Sequence, residues 1–135
     1  MHEELRLTIR SDLGELARVS ELASGLLERR GIAERVAYAT HLALEEVLSN
    51  VIRHGHLDEN RHEIALVLRV GEDGVELQVV DDGREFDPVQ APEVELDLPL
   101  AERRAGGLGI HLLRAFTRGI RYKRHEDRNV LWLQI

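Results

Sequence analysis

The stretch "LEEVLSNVIRHGH", residues 44–56, poses the question on which the chain turns. Leu44, Val47, Leu48 and Val51 repeat at helical spacing, and the stripe continues backwards through Thr40 and Val36. The pattern predicts a helix from about Ala33 to Arg53. At 100° per residue, Glu46, Asn50 and Arg53 fall on the flank of that stripe, with His54 one turn after Asn50. Ala39 and Ala43 share the flank, and small side chains beside polar ones leave room for something else. Two readings stand. The flank is a solvated helix edge, or it is the wall of a site. An amide oxygen is a suitable hard donor for Mg²⁺, and a carboxylate one turn away can take a proton from an attacking hydroxyl.

Upstream, "LRLTIR" (5–10) alternates as a short strand. Ser11 and Asp12 offer N-caps, and Asp12 to Glu15 has capping-box spacing. Leu13, Leu16, Ala17, Val19, Leu22, Ala23, Leu26 and Leu27 predict a second helix, stopped by Gly31. Downstream, "EIALVLRV" and "VELQVV" joined by "GEDG" form a hairpin signal. "GIRYKRHEDRNVLWLQI" (119–135) reads as a closing hairpin. The order β-α-α-β-β-loop-α-β-β predicts helices layered on a largely antiparallel sheet.

The turn "VVDDGREFDP" (79–88) is a second candidate site. Period two places Asp81 on the same face as Val75, Leu77 and Val79, and turns Asp82 away. A carboxylate at the end of a buried row needs a donor, such as the amino group of an adenine. It can equally be a turn cap on nearby backbone amides. The third candidate is "GGLGIHLL" (106–113). Glycines let backbone approach a ligand, and the first amides of a helix attract phosphate; a flexible connection is the plainer account. The stretch is neither a P-loop nor a dinucleotide fingerprint. Residues 88–106 hold all three prolines of the chain and many acids, and so long a loop in a small domain is more often functional than not.

Bulk composition narrows the classes. The 135 residues suit one domain, 43% hydrophobic and 32% charged, with a core of aliphatics because aromatics are only 4%. The net charge of −7 argues against a nucleic-acid binder. The lack of cysteine excludes disulfides and thiol chemistry. No apolar run is long enough for a membrane span and "MHEELRLTIR" is not a signal peptide, so a cytoplasmic protein is expected. His54 and His56 lack helical ligand spacing, and a histidine metal site is not expected.

In order and separation, "EEVLSNVIRHG", "DDGREFDP" and "GGLGIHLL" resemble the N, G1 and G2 boxes of the GHKL (Bergerat-fold) ATPases. The small size and the "FDP" after the G1 box resemble their anti-sigma-factor serine/threonine kinase branch most. The resemblance covers nearly the whole chain. It implies an α+β fold, a two-layer α/β sandwich with a mixed, mostly antiparallel sheet and helices on one face, as one domain over residues 1–135. It implies ATP and Mg²⁺ as cofactors. Asn50 is then the metal ligand, and Glu46 resembles the acidic N-box residue and is the candidate general base. Arg53 and His54 join the nucleotide-binding set beside them. Asp81 accepts from the adenine amino group and Gly83 lets backbone pass the base. Gly107, Leu108 and Gly109 meet phosphate through their amides. Residues 89–105 correspond to the ATP lid, where Arg104, with Arg103, is assigned to phosphate by its charge.

The resemblance further implies phosphorylation of a serine or threonine on a STAS-type anti-anti-sigma partner. A sigma factor is a second partner and a homodimer the expected assembly; no direct nucleic-acid or membrane contact is implied. Two departures stand out. Glu85 occupies the second glycine of the G1 pattern, and Asn129 stands near where many relatives place a threonine. The Glu85 departure favours the alternative, a nucleotide-binding interaction module without efficient kinase activity. A histidine-kinase catalytic domain fits less well, since no dimerisation helix with a phosphoacceptor histidine precedes the first strand.

Overall fold

A computed structural model describes residues 2–54, 62–87 and 107–135. In chain order the elements are β1 (His2–Arg10), α1 (Glu15–Arg29), α2 (Glu34–His54), β2 (Glu63–Gly71), β3 (Gly74–Asp81), α3 (Gly107–Phe116), β4 (Gly119–His125) and β5 (Arg128–Gln134). The sheet runs β1-β2-β3-β5-β4. All four pairings among the described residues are antiparallel, in line with the mixed, mostly antiparallel sheet expected. The two-layer α+β architecture is the expected one.

One face of the sheet carries the core. Ile9, Ile64, Leu66, Leu68, Val70, Val75, Leu77, Val79, Leu131 and Leu133 are buried there, every second residue of their strands. The core also takes in Val19, Ala23, Leu26 and Leu27 of α1 and Leu44, Val47 and Leu48 of α2. α1 packs on β1 and β2, while α2 packs on α1, β3 and α3. The opposite face is polar near β1. There Glu4 accepts from Arg69 at 2.9 and 2.7 Å and from Arg6 at 3.0 Å. Those bonds, Arg69 first, hold the Glu4 carboxyl below its usual range. No described helix is long and apolar enough to cross a membrane.

The ends of α1 show what spacing can and cannot tell. The stop at Gly31 is a Schellman turn: Ile32 N–H donates to Leu27 O (3.1 Å) and Gly31 N–H to Glu28 O (3.0 Å), with Gly31 at φ +63°. The start differs from the expected cap. Gly14 is the N-cap, because Asp12 spends its side chain on Gly14 N–H (2.9 Å). Glu15 instead reaches back to Arg10 N–H at 3.4 Å. Local Asx geometry has displaced the helix start by a few residues.

Among the described glycines, Gly74 is the tightest. It closes the two-residue β2–β3 turn at φ +121°, and a Cβ there would lie 2.8 Å from Ile135 O and from Arg118 Nη2. Gly74→Ala therefore meets both a clash and a backbone region that side chains avoid. It should lower stability by roughly 2–3 kcal/mol. Gly31→Ala has open space around its Cβ and should cost only the left-handed strain, about 1 kcal/mol. Urea melts of the two variants check the order; a Gly31 variant as damaged as the Gly74 variant would contradict it.

Candidate functional site

The three motifs sit on α2, the end of β3 and the head of α3, and α2 packs on both of the others. On α2, Thr40, Leu44, Val47 and Leu48 are buried, and Val36 and Val51 half-buried, as the stripe predicts. Ala39 and Ala43 were expected to leave room beside the polar flank. They are instead 4% and 0% exposed and belong to the core, so the space they leave is filled by neighbouring apolar groups. Glu46 and Asn50 are half-buried on that helix and Arg53 is exposed. His54 is its last residue.

Burial pushes the Glu46 carboxyl above its ordinary value, with the neighbouring Glu45 charge adding and Arg53 opposing. A half-desolvated carboxylate with a raised proton affinity is the form a base on this helix should take.

The end of β3 is the best-defined part. Val75, Leu77 and Val79 are buried and Asp81 continues their row at 5% exposure, as its parity predicts. Asp82 turns away to the other side, half-exposed, 3.0 Å from His62 Nδ1. Of the two roles expected of Asp81, the turn cap is seen in its bonds. As a turn cap, its Oδ1 accepts Gly83 N–H at 2.8 Å. The same oxygen accepts Asn129 Nδ2 at 3.1 Å. Oδ2 takes no hydrogen bond from the described residues. A carboxylate oxygen left over on so buried a side chain is suited to a donor from outside the fold.

Asn129 is the residue that motif reading underplayed. It pairs with Asp81 across β3 and β5 and is 6% exposed. Its Nδ2 also donates to Arg84 O (2.8 Å), and its Oδ1 accepts Arg124 Nη1 (3.2 Å), Phe86 N–H (3.4 Å) and the Tyr122 hydroxyl. Arg124 Nη1 also holds Gly83 O at 2.7 Å. Burial, then the Glu85 charge, pushes the Tyr122 phenol up, so it stays a donor. The signal was in the sequence: Asn129, Leu131, Leu133 and Ile135 share one parity.

α3 begins at Gly107, so Gly107, Leu108 and Gly109 form its first turn, where amides lack helical partners. Arg104, Arg103 and the 89–105 segment lie outside the described residues. The donor set suits Mg·ATP. Mg²⁺ commonly takes one or two protein oxygens, the rest from phosphate and water. Asn50 offers such an oxygen. Among the described residues no group of three His, Cys, Asp or Glu gathers as a metal cage.

Residues 9–135 match the family model described as histidine kinase-like ATPase domain, and the chain belongs to that family. The relatives it is similar to include proteins named as protein kinases. The serine/threonine-protein kinase BtrW of Bordetella bronchiseptica is 31% identical over 99 residues, 73% of this chain and 70% of BtrW. The serine-protein kinase RsbW of Listeria innocua is 29% identical over 119 residues, 84% of this chain and 74% of RsbW. A crystal structure of RsbU and RsbW domains from Mycobacterium tuberculosis superposes with a TM-score of 0.67 at 16% identity. It covers 97% of this chain and 31% of that one, a likeness of fold.

Proposed function

We propose that this chain, a single domain over residues 1–135, is a cytoplasmic Mg·ATP-dependent kinase of the anti-sigma-factor type. Its substrate is a serine or threonine of a small STAS-type anti-anti-sigma protein, and in the unphosphorylated branch of the switch it holds a sigma factor. The observation that carries this reading is Asp81. It is a buried carboxylate with one oxygen fixed by Gly83 and Asn129 and the other open to an adenine amino group.

ATP supplies the phosphoryl group, and Mg²⁺ neutralises its charge. The chain's own task is positioning and charge, which is most of what phosphoryl transfer asks of a protein. Asp81 accepts from the base. Gly83 lets backbone pass beside it. The amides of Gly107, Leu108 and Gly109 meet phosphate, and Arg53, His54 and Arg104 are assigned to the nucleotide by their chemistry. Asn50 offers the metal its oxygen. Glu46 takes the proton of the incoming hydroxyl.

The test is incubation with labelled ATP, Mg²⁺ and candidate STAS proteins, preferably ones encoded nearby. The expected result is label on a serine or threonine of one partner. Tight ATP binding with no label on a genuine binding partner favours the second reading, a nucleotide-dependent interaction module. Glu85, in the base-side turn where the related pattern has glycine, is the feature on that side.

A further inference from the structure

Three groups of the β4–β5 hairpin converge on the base-side turn. Arg124 holds Gly83 O at 2.7 Å, and Asn129 holds Arg84 O at 2.8 Å and Phe86 N–H at 3.4 Å. Tyr122 and Arg124 in turn hold Asn129 Oδ1. An amide has two N–H donors and two lone pairs. Here both kinds are engaged, and on opposite sides. Nδ2 faces only acceptors, the Asp81 carboxylate and Arg84 O. Oδ1 faces a guanidinium, a backbone N–H and a phenol. Turning the amide over would set oxygen against carboxylate and carbonyl, so the orientation is fixed.

The rest of the row is apolar: Leu131, Leu133 and Ile135 continue it inward. An apolar residue at 129 would leave Asp81, Arg84 O, Phe86 N–H and the Tyr122 hydroxyl without this partner. The polar choice has a specific consequence, since together with Gly83 N–H it fixes which oxygen of Asp81 is spent and which is free.

We infer that Asn129 is a positioning residue for base recognition, acting through Asp81 and the 83–87 turn without touching the nucleotide. It anchors Oδ1, which turns Oδ2 toward the purine 6-amino group. The inference rests on the reading of Asp81 as the base acceptor. It extends that reading to a determinant on another strand, with Tyr122 holding Asn129 from behind.

The probes are ATP and purine riboside triphosphate, which lacks the 6-amino group, titrated calorimetrically with Mg²⁺. The wild type should prefer ATP. Asn129→Ala should weaken ATP by about ten- to a hundredfold, the worth of a hydrogen bond to a charged group. The analogue should change little, so the preference collapses. On an Asp81→Ala background, Asn129→Ala should have no further effect on the ratio. Tyr122→Phe removes one bond and no bulk, and should shift the ratio the same way by a smaller factor. It serves where Asn129→Ala fails to fold. Equal losses for both nucleotides, or an unchanged ratio in Tyr122→Phe and Asn129→Ala alike, make Asn129 a merely structural residue and overturn the inference. A wild type that does not distinguish the two nucleotides defeats the base-acceptor reading of Asp81, and the inference falls with it.

Discussion

Glu46→Gln should slow phosphoryl transfer by on the order of 10²–10⁴-fold, the usual worth of general base catalysis. Glutamine keeps the shape and removes the basicity. ATP affinity should hardly change, because a base acts on the incoming hydroxyl and not on the bound nucleotide. Asn50→Ala should do the opposite and damage Mg·ATP binding itself. The comparison needs a partner that the wild type phosphorylates. Should Glu46→Gln transfer phosphate as fast as the wild type, the base assignment is wrong and Glu46 is a polar residue lining the helix.

The raised proton affinity of Glu46 adds a second signature. Burial is its main cause and Glu45 the next. A base works deprotonated, so the rate should rise with pH through a value above the ordinary 4.5 of a glutamate. Glu45→Gln removes the second cause. It should move that acidic limb to lower pH without abolishing transfer. Glu46→Gln should flatten the limb. A limb that persists unchanged in Glu46→Gln belongs to another group.

The order of elements was legible because strand and helix periods are distinct in this chain. "EIALVLRV" and "VELQVV" alternate cleanly, and the α2 stripe holds for several turns. What stayed illegible was set by contacts across the sequence. β1 starts at His2 and not Leu5, since His2, Glu3 and Glu4 pair with Gly71, Val70 and Arg69. Their polar side chains hide a strand that a neighbouring backbone defines. The β4–β5 turn places Glu126 at φ +50° and Asp127 at φ +62°, positions usually held by asparagine and glycine. No turn signal marks it. At the site, the parity of Asp81 was readable because one strand decides it. Asn129 was not singled out by its bonds, because those reach three other segments: β3, the 83–87 turn and β4. The flank alanines of α2 misled for the complementary reason, since spacing gives a residue's angle on the helix and not what packs against it.

Asp81→Asn should weaken ATP binding by roughly 1–3 kcal/mol, the range for a hydrogen bond involving a charged group. The structure sharpens this beyond a lost charge. Oδ1 faces two donors, Gly83 N–H at 2.8 Å and Asn129 Nδ2 at 3.1 Å. An asparagine here must therefore turn its oxygen toward them and its amino group outward. An acceptor becomes a donor where the adenine amino group arrives, and two donors then face each other. A base with a 6-oxo group presents the opposite polarity. Inosine triphosphate should consequently lose far less than ATP, or gain, in the same variant. Asp82→Asn is the control, since that side chain points away and rests on His62. It should leave both affinities within a small factor of the wild type. Calorimetric titration of the three proteins with the two nucleotides reads the whole pattern. Equal losses at positions 81 and 82 would show that strand parity does not govern base contact. A uniform loss for both nucleotides in Asp81→Asn would show that the carboxylate holds the turn and does not read the base.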